Sequence, residues 1–126
     1  MSGRVVHFEI PADNLDRAQD FYRAAFGWTL NAMPGMGYAL VTTTPTDETG
    51  TPTAPGAING GMLARQEPVT STVITVEVAD IDQSLEAVVT RGGTVVRSGE
   101  PVSDMGIAAY VRDSEGNLLG LWQSLR

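Results

Sequence analysis

The chain of 126 residues contains no cysteine. Disulfides, thiolate nucleophiles and cysteine-held zinc are thereby excluded, and a reducing compartment is weakly favoured. Lysine is absent as well: all eight basic residues are arginines. This removes Schiff-base chemistry and the lysine of a phosphate loop. A single histidine, His7, rules out any mechanism that needs two imidazoles. Basic charge is scarce and scattered against a formal net charge of -7, so no basic stripe exists to neutralise nucleic-acid phosphates. No apolar run approaches the roughly 20 residues that cross a bilayer. The opening MSGRVVHFEIPADN reaches charge too early for a secretory leader. These absences predict a cytoplasmic protein with no nucleic-acid or membrane partner. One domain over residues 1–126 is expected, long enough to bury a single core.

What is present is periodic. In RVVHFEIPA, Val6, Phe8 and Ile10 alternate with Val5, His7 and Glu9, the period of a strand with one apolar face. Leu15, Ala18, Tyr22, Ala25 and Phe26 then follow helical spacing, with Asp13 or Asn14 as the cap and Gly27 as the stop. WTLNAM and GYALVTT read as strands. The Pro- and Thr-rich PTDETGTPTAPG reads as a long loop, and AINGGMLAR reads as a fourth strand. After a linker at 66–71 the order recurs. STVITVEVA is followed by a helix opening on an Asp80–Gln83 capping box and closing on Gly92-Gly93. TVVRS, IAAYVRD and LLGLWQS complete the series.

HFEIPADNLDRAQDF lies over TVEVADIDQSLEA if Pro11 and Ala12 count as an insertion, and PGAINGGML lies over SEGNLLGLW. This repeat of about sixty residues predicts an α+β fold of two tandem β-α-β-β-β modules, residues 1–65 and 72–126. The modules would form a curved mixed sheet with helices outside and a concave cleft inside.

The strings HFEIPADNLDRAQDFYRAAFGW, INGGML, VEVADIDQSLEAVVTRGG and DSEGNLLGLWQ, in this order, resemble the vicinal-oxygen-chelate superfamily of glyoxalase I, bleomycin-resistance proteins and extradiol dioxygenases. More narrowly they resemble bacterial glyoxalase-like proteins related to lactoylglutathione lyase. The resemblance implies a ligand cavity and a homodimer. It does not fix a reaction, because function belongs to the site and not the fold. Metal enzymes of the superfamily hold a divalent ion with a histidine or similar ligand from the first strand of each module and a glutamate or similar ligand from the fourth, in the pattern G-N-x-x-E-L. Here GNLLGL puts Gly120 at the glutamate's place, and the repeat puts Gly60 at its counterpart. The second module's histidine position falls on Val73. His7 matches the ligand histidine when counted back from Phe21-Tyr22, whereas strand register against Ile10 puts that position at Val5. At most one ligand of four carries over, where a catalytic metal needs about three. The expectation is therefore no metal and no other cofactor, with a divalent metal on a non-standard set of His7, Glu9 and Glu77 as the alternative.

Within the expected cleft, His7 has a pKa near neutrality suited to proton transfer. Glu9 and Glu77, taken as repeat-equivalent, offer an acid-base pair. These three are the candidate catalytic residues. Thr75 and Trp122 are candidate substrate-binding residues, Trp122 as a stacking platform, with Tyr38, Met62 and Tyr110 on the same wall. The expected function is binding of a small organic ligand, with proton transfer of the isomerase, epimerase or lyase type. A metal-dependent glyoxalase- or dioxygenase-type enzyme and a non-catalytic, antibiotic-sequestering protein are the alternatives.

Overall fold

A computed structural model describes residues 3–125. The elements run β1 (Val5–Ala12), α1 (Leu15–Phe26), β2 (Thr29–Met33), β3 (Tyr38–Thr42), β4 (Asn59–Ala64), β5 (Val73–Glu77), α2 (Ile81–Thr90), β6 (Thr94–Val102), β7 (Gly106–Arg112) and β8 (Leu118–Ser124). The class is α+β with mixed strand pairing, as expected. His7–Thr72 form one compact unit, and Met1–Val6 with Val73–Arg126 form the other.

In the first of these units the strand order is β2-β3-β4-β1, antiparallel except for the parallel pair β1 and β4. Helix α1 starts where Asn14 accepts a hydrogen bond from the Arg17 amide at 2.9 Å. It stops at Gly27, whose φ of 72° is left-handed, a conformation that glycine adopts without strain. Phe8, Ile10, Leu15, Ala18 and Tyr22 pack on a core of Ala12, Leu30, Ala39, Val41 and Met62. Met62 is fully buried, and its removal from water contributes about 2 kcal/mol. The long loop between β3 and β4 is less formless than its composition suggests. Asp47 accepts hydrogen bonds from the Thr49 and Thr51 amides and from the Thr49 hydroxyl, and these hold its carboxyl below the usual range. The stretch at 66–71 is anchored too. Val69 is buried, and Arg65 donates to the Thr70 carbonyl and to Asp13.

Asn59 closes this loop at the mouth of β4. Its Oδ1 accepts from the Thr43 amide at 2.7 Å and the Thr44 amide at 3.1 Å, and its Nδ2 donates to the Thr44 carbonyl. Asn59→Ala strands two part-buried amides, so a loss on the order of 2–3 kcal/mol is expected. Chemical denaturation measures it, and a loss under about 0.5 kcal/mol would mean that water replaces the side chain.

The second unit orders its strands β5-β8-β7-β6, again with one parallel pair, β5 and β8. Ile81, Ala109, Val111 and Leu121 form its core, flanked by Val76, Val78, Leu85 and Val88. Asp80 caps α2 through the Gln83 amide at 3.0 Å. The Ile81 amide is satisfied across the unit by the Gln123 side chain at 2.8 Å. Gly3 and Arg4 pair with Glu77 through backbone hydrogen bonds of 2.8 Å.

The two units correct the repeat alignment. Pro11 and Ala12 are not an insertion: β1 continues through them, paired with Leu63 and Ala64. Each helix begins one residue after its cap, at Asn14 and Asp80. Counting back seven residues from each cap makes His7 the counterpart of Val73, Glu9 of Thr75, and Pro11 of Glu77. The fourth strands agree independently. Glu9 pairs with Gly61 and Thr75 with Gly120, while Met62 and Leu121 are the buried neighbours that follow. Gly61, not Gly60, is therefore the counterpart of Gly120. Glu9 and Glu77 are not repeat-equivalent.

Candidate functional site

Cross-strand partners share a face of the sheet. In the His7–Thr72 unit the face away from the core carries His7, Glu9, Gly61 and Leu40, because His7 pairs with Asn59, Glu9 with Gly61, and Leu40 with Gly61. Tyr38 joins them from the start of β3. Its hydroxyl lies 3.1 Å from His7 Nε2 and donates to Glu9 Oε2 at 3.4 Å. Gly61 makes this possible, since a Cβ built there would coincide with the Tyr38 hydroxyl. Three groups that are 31 and 29 residues apart along the chain thus meet above a bare stretch of backbone.

The electrostatics follow from enclosure. Burial holds the His7 imidazole below its ordinary value of 6.5, against the opposing pull of Glu9. Burial, and then the charge and hydrogen bond of Glu9, push the Tyr38 phenol well above its ordinary range. Glu9 is itself only 8% exposed. At neutral pH the site holds an uncharged imidazole and an uncharged phenol beside a carboxyl group, a set suited to shuttling a proton without building a cation.

Because folded His7 takes a proton less readily than unfolded His7, its contribution to stability is complete above about 6.5. It is lost as pH falls toward the lowered folded value. The melting temperature is expected to fall between about pH 7.5 and about pH 5 more steeply in the wild type than in His7→Gln. Parallel curves would show that His7 does not feel its burial.

The other residues singled out in the sequence fall elsewhere. Met62 does not line this face. It lies in the core against Leu30, Ala39 and Val41, because Ala39 is its cross-strand partner and that side of β4 faces α1. Thr75, Glu77, Trp122 and Tyr110 lie in the other unit, on one face by register with Gly120. There the Thr75 hydroxyl stands over Gly120 and the Trp122 ring over Gly106. Tyr110 carries the Arg97 guanidinium 5.5 Å from its ring centre. Glu77 accepts from Arg4 at 2.9 Å, an exposed ion pair of small energetic value. The contact of Tyr38 with His7 and Glu9 has one sequence clue, the glycine doublet at 60–61 that marks a close approach.

With the alignment corrected, the resemblance would carry the superfamily's first- and fourth-strand ligand positions onto His7 and Gly61 in one unit and Val73 and Gly120 in the other. Only His7 can coordinate, and its Nε2 already contacts the Tyr38 hydroxyl. Among the described residues, no three His, Cys, Asp or Glu side chains come together. The donors present do not fit the superfamily's four-ligand centre.

The fold is that of the glyoxalase/bleomycin resistance/dioxygenase superfamily. A methylmalonyl-CoA epimerase variant from Streptomyces coelicolor, in complex with 2-nitronate-propionyl-CoA, is similar over 100% of both chains, with a TM-score of 0.67 and 21% identity. A superfamily member from Vibrio splendidus 12B01 matches with a TM-score of 0.64 and 15% identity, covering 98% of this chain and 99% of that one. In sequence, residues 4–44 match the bleomycin resistance protein-like N-terminal family. A glyoxylase-like domain-containing protein from Didymella fabae is 32% identical over 125 residues, covering 93% of this chain and 91% of the relative. The chain belongs to this glyoxalase-like family.

Proposed function

We propose that this protein binds a small organic carbonyl compound and moves a proton at the adjacent carbon, in the manner of an isomerase, epimerase or lyase, without the superfamily's metal centre. The observation that carries this reading is the His7–Tyr38–Glu9 array above Gly61. An unprotonated imidazole is a competent base near neutrality, and a phenol beside it stabilises developing negative charge. The neighbours of the same fold that are methylmalonyl-CoA epimerases lend support to the epimerase type of reaction. The ligand differs from theirs in charge. A net charge of -7 without a single lysine disfavours the phosphates of a coenzyme A ester, so the substrate is an uncharged or cationic carbonyl compound. The protein works in the cytoplasm as a homodimer. Among the described residues, no helix is long and apolar enough to cross a membrane.

The experiment is deuterium wash-in followed by proton NMR, using chelator-treated protein and a panel of neutral carbonyl compounds alongside methylmalonyl-CoA. Loss of the α-proton signal from a neutral compound is expected. Exchange that requires an added divalent metal would reject the metal-free reading. The bleomycin-resistance-like match over residues 4–44 favours one second reading, a sequestering protein. Thermal stabilisation by a ligand with no exchange anywhere in the panel would establish it.

A further inference from the structure

The single proton that Tyr38 can give fixes the wiring of its two contacts. Tyr38 has one hydroxyl proton and two neighbours, His7 Nε2 at 3.1 Å and Glu9 Oε2 at 3.4 Å. If that proton went to His7, the phenol oxygen would face the Glu9 carboxylate with lone pairs on both sides. If it goes to Glu9, the phenol oxygen is free to accept from Nε2–H, and both contacts are satisfied. Nδ1 of His7 makes no hydrogen bond to any described residue. The ring is only part-buried, and Nδ1 is the nitrogen that Tyr38 leaves unengaged.

We infer that Tyr38 is a positioning residue that fixes His7 in the Nε2–H tautomer, leaving Nδ1 as the base and Glu9 as the far end of a proton relay. This inference rests on the proton-transfer reading above for its chemistry, but not for the tautomer. When Nδ1 takes a proton from the substrate carbon, the C–H pair stays on the substrate as an enolate. The Nε2 proton passes to the Tyr38 oxygen as the Tyr38 proton passes to Glu9 Oε2. The relay ends with a neutral imidazole in the other tautomer, a neutral phenol and a protonated Glu9. Neither an imidazolium nor a tyrosinate forms, the two species that burial disfavours at these positions. Return of the three protons reprotonates the carbon. Gly61 is the second component: any side chain there expels the Tyr38 hydroxyl from its place between the two partners.

The test uses the fact that His7 is the only histidine. Long-range proton–nitrogen NMR of the labelled protein reports one imidazole without assignment. Near neutral pH, the nitrogen shifts of the Nε2–H tautomer are expected. Tyr38→Phe and Gly61→Ala should both move the shifts toward a mixture of tautomers, with circular dichroism confirming that each stays folded. A dominant Nδ1–H tautomer, or shifts unmoved in a folded Tyr38→Phe protein, overturns the inference. In the exchange assay, Tyr38→Phe should lower kcat roughly tenfold or more with little change in KM. An Nε2–H tautomer that Tyr38→Phe abolishes, without exchange on any compound, upholds the positioning of His7 and rejects the proton-transfer reading. Exchange catalysed by an Nδ1–H imidazole does the reverse.

Discussion

Gly60→Ala is expected to destabilise the protein by about 3 kcal/mol or more. Gly60 is the partner of Phe8 in the parallel ladder between β1 and β4. A Cβ on residue 60 would overlap the Phe8 carbonyl oxygen and the edge of its ring. The ring could turn, at the expense of its packing against Trp28, 6.0 Å away between centres. The carbonyl cannot, because it belongs to the backbone of a paired strand. The melting temperature should fall by roughly 10 °C. Gly56→Ala provides the contrast: its φ is 82° but nothing lies within 4 Å of the new carbon, so only backbone strain of about 1 kcal/mol is added. A Gly60→Ala protein that melts within roughly 2 °C of the wild type would show that β1 and β4 do not meet in this register.

His7→Ala should lower proton exchange on the substrate by about 100- to 10,000-fold, the usual contribution of a general base. The fold should survive. His7 is half-buried, and its loss leaves Tyr38 still donating to Glu9. Removing an imidazole that burial already disfavours in its charged form also removes a source of acid sensitivity. The measurement is the initial exchange rate on the best compound of the panel, with the melting temperature recorded on the same sample. Full activity in a folded His7→Ala protein would exclude His7 from the mechanism.

By itself, the sequence determined the features governed by neighbouring residues. The period-two runs of β1 and β5, the helical stripes, the Asp80 cap and the stop at Gly27 are local and were legible, and the first cap was narrowed to Asp13 or Asn14, of which the structure uses Asn14. The absence of cysteine, lysine and a second histidine limited the chemistry just as directly. Three matters needed tertiary structure. Pro11 and Ala12 looked like an insertion between the modules' matching strings, yet β1 runs through them, paired with Leu63 and Ala64. Met62 looked available to a ligand but lies in the core. Tyr38 was expected on a ligand-binding wall, but its contacts with His7 and Glu9 were not legible. All three turn on β4, where Gly60 and Gly61 carry no side chain to announce which face is apolar. A slip of one residue reverses every side chain of a strand, and a glycine doublet leaves that phase unmarked. Only the hydrogen-bonded pairing of β4 with β1 and β3 sets it, turning Met62 inward and opening above Gly61 the space that Tyr38 fills.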